Sequence, residues 1–348
     1  MTDKLTSLLV QRPWLLADGA TGSNLFTMGL LSGDSPELWN TTHPERIASL
    51  VRDFIAAGAD IVLTNTFGGT RYRLKLHHAE ERVGELNRAA AQIARAEADA
   101  SGRQVVVAGS MGPTGEILEP LGPLSAEAAR AAFAEQAAAL AEGGADVLWI
   151  ETMSSKEELE AAILGARTTA LPVVSTMSFD TNGRTMMALT PNDLAAVHRH
   201  HGLLACGSNC GTGPSELVAS IINLATASEA DAVLVAKANC GIPQYVDGKI
   251  QYDGTPELMT LYACMAYDAG ARIIGGCCGT TPAHLRAMRQ ALSRHTRGPA
   301  PSVEKLESLL GGISAGARAQ LNGLLDRASG AAPTAVARKS PVNRRRHL

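Results

Sequence analysis

Between residues 15 and 293 one pattern recurs eight times: a short apolar run, a polar or glycine-rich turn, then a stretch with apolar residues three and four apart. The runs are Leu15-Leu-Ala17, Asp60 to Thr66, Val105 to Ser110, Asp146 to Thr152, Pro172 to Phe179, Leu204 to Cys210, Ala232 to Asn239 and Arg272 to Gly275. Between them lie helical stretches such as 44–58 (Ile47, Leu50, Val51, Phe54, Ile55), 82–99, 125–143, 156–168, 191–200 and 282–293. Apolar strands that alternate with helices are strands covered on both faces, which is the habit of a parallel sheet. Eight such units over this length predict an α/β protein folded as a (β/α)8 TIM barrel. An open doubly wound sheet fits less well. No Gly-x-Gly-x-x-Gly follows the first run, and Asp18-Gly-Ala-Thr-Gly is too short for a phosphate fingerprint.

Residues 1–296 are thus assigned to the barrel, with 1–14 expected to be a polar lead-in holding at most one amphipathic turn before Pro13. A helical extension is expected over 297–330 (Leu306, Leu309, Leu310, Ile313), docked on the barrel or on a second subunit as a homo-oligomer contact. The tail 331–348, with Arg344-Arg-Arg346, is expected to be disordered. A formal charge of −3 gives no reason to expect nucleic acid as a partner, and no apolar run reaches transmembrane length. The polar start lacks a signal-peptide core and six cysteines at irregular spacings do not form a disulfide framework, so a reducing, cytoplasmic setting is expected.

In a barrel of this kind the chemistry sits just past the strand ends. There the eighth run delivers Gly275-Gly-Cys277-Cys278-Gly279. Adjacent cysteines strain a mutual disulfide but suit one soft cation, zinc by default; the alternative is a small buried hydrophobe with an incidental neighbour. Cys210 ends the sixth run, two strands away and within reach across the barrel mouth. Three thiolates with a fourth position open make a catalytic zinc site. Such a centre carries a net charge of −1, which makes it a poor generator of hydroxide. It is suited instead to holding a substrate thiol as thiolate for attack on an electrophilic carbon.

Asp18-Gly-Ala-Thr-Gly, Asn65-Thr-Phe67, Glu151-Thr152, Asn209-Cys-Gly211 and Gly275-Gly-Cys-Cys-Gly-Thr280 together resemble the homocysteine S-methyltransferase family, over nearly all of residues 12–292. Within it the sequence is most similar to bacterial betaine–homocysteine methyltransferases. The resemblance implies Zn2+ held by Cys210, Cys277 and Cys278, and homocysteine as methyl acceptor giving methionine. It also implies that Asp18 and Glu151 receive the homocysteine ammonium, with Gly19 and Thr66 at its polar end and Glu151 counted with the three cysteines as catalytic. Cys240, at the seventh strand end, either packs or closes the zinc site as a fourth ligand. The donor is expected to be a small onium compound, betaine first, caged by aromatic faces: Trp39 and Tyr72 facing the mouth, with Phe26 and Phe67 nearby. S-methylmethionine or another sulfonium, or a methylcorrinoid protein, would be the alternative donors. A non-catalytic thiol- or metal-binding barrel is the alternative of another class, though it has no use for an acidic pair aimed at an amino group.

Overall fold

The structure, a computed structural model, describes residues 3–246 and 249–324. Ten strands occur among them: β1 (Leu15–Leu16), β2 (Ile61–Leu63), β3 (Val106–Met111), β4 (Val147–Met153), β5 (Val173–Met177), β6 (Ala205–Cys210), β7 (Leu234–Ala238), β8 (Pro243–Val246), β9 (Lys249–Tyr252) and β10 (Ala271–Gly276). Eight of them pair in parallel in the order β1-β10-β7-β6-β5-β4-β3-β2. A parallel bridge from Ala17 to Ile61, with the Asp18 N–H donating to the Ile61 carbonyl at 3.0 Å, joins the two outer strands and closes the (β/α)8 barrel. The expected helices stand where the spacing put them, at Pro44–Ala56, Val83–Ala100, Ala126–Glu142, Lys156–Ala166, Pro191–His201, Pro214–Ala227, Pro256–Asp268 and Pro282–Arg294.

The two-residue alternation of the strands sorts their side chains into two separate apolar layers. Leu16, Val62, Val107, Leu148 and Ile274 face outward to the helices. Leu15, Ile61, Val106, Val147, Trp149, Val174, Ala205, Val235 and Ile273 fill the barrel. Continuing that parity two to four residues toward the strand ends brings Ser110, Glu151, Asn209, Lys237 and Cys277 inward above the apolar filling. The pleat therefore builds the polar floor of the site.

Two regions differ from the sequence expectation. The lead-in is a two-turn helix, Lys4–Gln11, with Asp3 as N-cap accepting the Thr6 N–H. Its Leu5, Leu8 and Leu9 pack into the inner apolar layer and seal the N-terminal end of the barrel, so the apolar spacing of this segment marks a plug. Second, β8 and β9 form an antiparallel hairpin inserted between β7 and its helix. Beyond the barrel, helices Val303–Leu310 and Ala315–Leu321 lie against it. Leu306 and Leu310 are buried, the Ser215 hydroxyl donates to the Gly312 carbonyl at 3.0 Å, and Gln320 donates to the Gly183 carbonyl at 3.0 Å. This apolar face is covered by the chain's own barrel. The expected disordered tail lies outside the described residues.

Candidate active site

At the C-terminal ends of the strands opens a cavity of ≈ 460 Å³. Gly19, Thr66, Glu151, Cys210, Cys277 and Cys278, expected on sequence grounds, all line it, and so do Lys237, Phe67, Arg73 and His77. At Gly19 only glycine fits: a Cβ there would lie 2.7 Å from both Phe54 Cε1 and the Thr280 carbonyl oxygen. Thr66 is fully buried, its hydroxyl 2.6 Å from that of Thr64 and donating to the Ser110 carbonyl at 2.7 Å.

The three cysteines converge. Their sulfur atoms all lie within 4.8 Å of one another, and this is the one group of three or more potential metal ligands among the described residues. Cys277 has the inward parity of Ile273, whereas Cys210 shares the outward parity of Cys206 and turns by adopting a left-handed backbone (φ 62°). Thr152 is left-handed as well (φ 63°), and such conformations are costly for non-glycine residues and cluster at functional sites. Asn209 ties these two strand ends together. Its Oδ1 accepts the Thr152 N–H at 2.9 Å, and its amide donates to Thr152 Oγ1 at 2.6 Å and stands 3.9 Å from Cys277 Sγ. Asn239 does the same for the other edge, accepting the Cys278 N–H at 3.1 Å and donating to the Gly211 carbonyl at 2.6 Å. Cys240 is buried and points its sulfur at the Gly254 carbonyl, 3.3 Å away, outside the three-thiol group.

The electrostatics of the cluster fit a cation. A hydrogen bond with Cys277 favours the Cys210 thiolate, but its contact with Cys278 and burial push the thiol up to about 11. Cys278, favoured as thiolate by Cys210, is pushed up to about 12 by Cys277 and burial. Cys277 is raised by Cys210 and by burial. Three thiols this close in a low-dielectric pocket keep their protons unless positive charge joins them. An all-sulfur set with no carboxylate or imidazole matches a soft or borderline metal such as zinc, and three ligands leave one position open.

Other placements depart from the sequence reading. Asp18 does not line the cavity. It is 3% exposed, its Oδ1 lies 2.6 Å from Lys237 Nζ, and its Oδ2 accepts the Leu63 N–H at 2.7 Å. Burial works against the Lys237 ammonium, but Asp18 and then Glu151 outweigh it and hold its pKa up, while burial raises both carboxyls. Glu151 accepts a hydrogen bond from the Ser110 hydroxyl and lines the cavity. Trp39, expected to face the mouth, is 7% exposed in the outer core, covered by the Arg46 guanidinium at 4.8 Å and by His43. Tyr72 packs against the same core, and neither ring lines the cavity. The short helices Trp39–Thr42 and Arg71–Leu74 turn these rings inward, a placement that loop position alone does not reveal. Phe67, 39% exposed, lines the cavity, and Tyr252 of β9 stands against the Cys278-Gly279 turn.

The profile of the homocysteine S-methyltransferase family matches residues 15–292. The chain belongs to this family. Methionine synthase of Mycobacterium tuberculosis is 32% identical over 309 residues, which cover 84% of this chain and 26% of the relative. That of Mycobacterium leprae is 31% identical over 317 residues, 86% of this chain and again 26% of the relative. The chain thus spans about a quarter of the length of the curated relatives it matches. Among solved structures, the metallated form of the homocysteine methyltransferase MmuM from Escherichia coli is similar at 25% identity and a TM-score of 0.70, covering 83% of this chain and 99% of that one. A methyltransferase from Methanosarcina mazei, 16% identical with a TM-score of 0.54, shares the fold.

Proposed function

We propose that this family member is a zinc-dependent methyltransferase that moves a methyl group from a small onium donor, betaine first among them, to the thiol of homocysteine, giving methionine. The observation that carries the reading is the meeting of Cys210, Cys277 and Cys278 in one cavity with Glu151. The three cysteines would hold the metal, which when bound supplies a coordinated, deprotonated substrate thiol. Glu151 receives the homocysteine ammonium, and Gly19 and Thr66 bound its polar end. With the amino acid fixed at that end, its sulfur is held at the cysteine end, in line for one carbon. The sulfur attacks the donor's methyl carbon, the S–C bond forms as the C–N bond breaks, and nitrogen keeps the electron pair. Positive charge on the donor is lost in that step, so a dry cavity favours it.

The donor site is reassigned to Phe67, whose ring face suits a quaternary ammonium, and to Arg73, the guanidinium at the cavity that suits a zwitterion's carboxylate. Phe67→Ala should weaken betaine use by about 0.5–2 kcal/mol, and neither Phe67→Ala nor Arg73→Ala should change homocysteine binding. A second reading comes from the mycobacterial relatives, which are named methionine synthase and extend far beyond the matched region. In that reading the methyl arrives on a carrier such as a methylcorrinoid rather than on a free onium compound. Methionine formation is therefore to be measured with homocysteine and, in turn, betaine, a methylsulfonium compound and methylcobalamin. Turnover with betaine is expected. Turnover with methylcobalamin alone would replace the onium reading, and no methionine from any donor would refute the methyltransferase.

The enzyme is placed in the cytoplasm in this reading. Among the described residues no helix is long and apolar enough to cross a membrane.

A further inference from the structure

The β8–β9 hairpin interrupts an otherwise regular alternation of strand and helix, and its foot is tied to the thiol-bearing turn after β10. Cys240, two residues past the end of β7, donates its N–H to the Cys278 carbonyl at 2.8 Å. Its own carbonyl accepts the Gly254 N–H at 3.1 Å, and its thiol donates to the Gly254 carbonyl at 3.3 Å. Asp253, just before Gly254, accepts the Ile242 N–H at 3.0 Å and the Gln244 amide at 2.9 Å. These bonds hold the end of β9, and with it Tyr252, against Cys278 and Gly279. The half-buried Tyr252 ring lies where a side chain on Gly279 would stand. A Cβ there would come within 2.5 Å of Tyr252 Cγ, and Gly279 also has a left-handed backbone (φ 80°).

Cys277 and Cys278 line the cavity but Tyr252 does not, so the ring meets the turn from outside the substrate space. Burial, and then Cys278, hold the Tyr252 hydroxyl well above its ordinary pKa, which leaves it a donor toward sulfur. Beyond the cysteines themselves, Tyr252 favours the Cys278 thiolate. A donor behind an anionic metal ligand is how outer partners tune a centre, and a bond to a charged acceptor is stronger than one between neutral groups.

We propose that Tyr252 is a positioning residue for the metal centre: its ring props the Cys277-Cys278-Gly279 turn, and its hydroxyl donates to the Cys278 sulfur when that sulfur is a metal-bound thiolate. The inference rests on the zinc reading of the three cysteines. Three thiolates around a divalent cation leave a net charge of −1, and one donated hydrogen bond draws density from that excess. Cys278 then gives less charge to the metal, and the open position becomes a better acceptor for a substrate thiolate. The hairpin supplies that donor from behind the site.

The test uses the full chain loaded with Co2+ in place of zinc, because thiolate-to-cobalt charge-transfer bands report the electron density on sulfur. Tyr252→Phe keeps the ring over Gly279 and removes only the hydroxyl. Its bands should lie at lower energy than those of wild type, since a thiolate without its donor is easier to oxidise. Its zinc affinity, measured in competition with a chromophoric chelator, should fall about tenfold, the lower end for loss of an outer partner. Tyr252→Leu loses the ring as well, and its zinc affinity should fall further, toward about a hundredfold. Thermal unfolding of the metal-free Tyr252→Phe protein should match wild type. Wild-type bands and wild-type zinc affinity in Tyr252→Phe would overturn the proposal, since the ring would then only pack. Absence of thiolate charge-transfer bands from cobalt-loaded wild type would overturn the three-cysteine metal reading, and this inference with it.

Discussion

The two ends of the barrel each bury an aspartate beside strands β1 and β2, and the two are treated in opposite ways. At the N-terminal end Asp60, fully buried, is met by Arg12 and Arg289 at 2.6 Å and Arg103 at 3.2 Å, and it also accepts the Leu16 N–H at 3.0 Å. Three cations surround one anion, and each guanidinium is about a third exposed, so the excess positive charge is left to water. At the C-terminal end Asp18 has one cation, Lys237, itself buried, and a second carboxylate, Glu151, faces the same lysine. That end holds two carboxyl groups against one ammonium away from solvent, with three thiols beside them. The first arrangement is complete in itself and holds the fold together. Under the proposed function the second is completed by a cation at the sulfurs and a zwitterion at the acids. Stability at one end and chemistry at the other is the division this barrel architecture makes generally.

The contrast can be broken most severely at the metal end. Cys278→Ala should abolish methyl transfer and zinc retention while leaving the thermal unfolding of the metal-free protein nearly unchanged, because a barrel core of this size does not depend on one ion. Retention of zinc and turnover would show that the cluster is not the centre of the chemistry. At the other end the outcome should invert. Asp60→Ala leaves three guanidiniums without their anion and should cost about 3 kcal/mol of stability, the low end for a broken buried pair because the arginines reach solvent. Chemical denaturation measures this, and the folded fraction should bind homocysteine as wild type does.

A smaller effect sharpens the comparison within the site. Glu151→Gln keeps the shape and the partner hydroxyl of Ser110 but removes the charge, and should weaken homocysteine by about 1.5–3 kcal/mol with zinc still bound. Unchanged affinity would place the ammonium elsewhere. Metal loading should follow pH with a definite sign. Cys210 and Cys278 hold their protons up to about 11 and about 12 without metal, so binding must displace protons and zinc affinity should rise as pH rises toward those values. A zinc affinity flat in pH would mean that the thiols are already ionised.

The sequence and the structure agree where period and position decide the outcome. Eight strand–helix units, and the exits carrying Glu151, Cys210, Cys277 and Cys278, follow from apolar spacing and from the rule that strand ends carry function. What escaped the sequence depends on direction rather than place. Trp39 stands on the expected loop, but a four-residue helix turns its ring beneath Arg46. Asp18 stands at the expected strand end, but its partner comes from β7, more than two hundred residues away in sequence. Lys237 was legible: a lysine two residues beyond Val235 in an apolar run has inward parity, a signal as plain as the paired cysteines. The N-terminal plug was legible too, in the spacing of Leu5, Leu8 and Leu9, though only the closed barrel supplies the surface they cover.

X-ray absorption at the zinc edge, on protein loaded with one equivalent of zinc before and after homocysteine is added, tests the central claim most directly. The account predicts three sulfur ligands at roughly 2.3 Å with one lighter atom before addition, and four sulfur ligands after it. Four sulfurs before any thiol is added would mean that Cys240 closes the site. A first shell that homocysteine leaves unchanged would contradict activation of the acceptor at this centre.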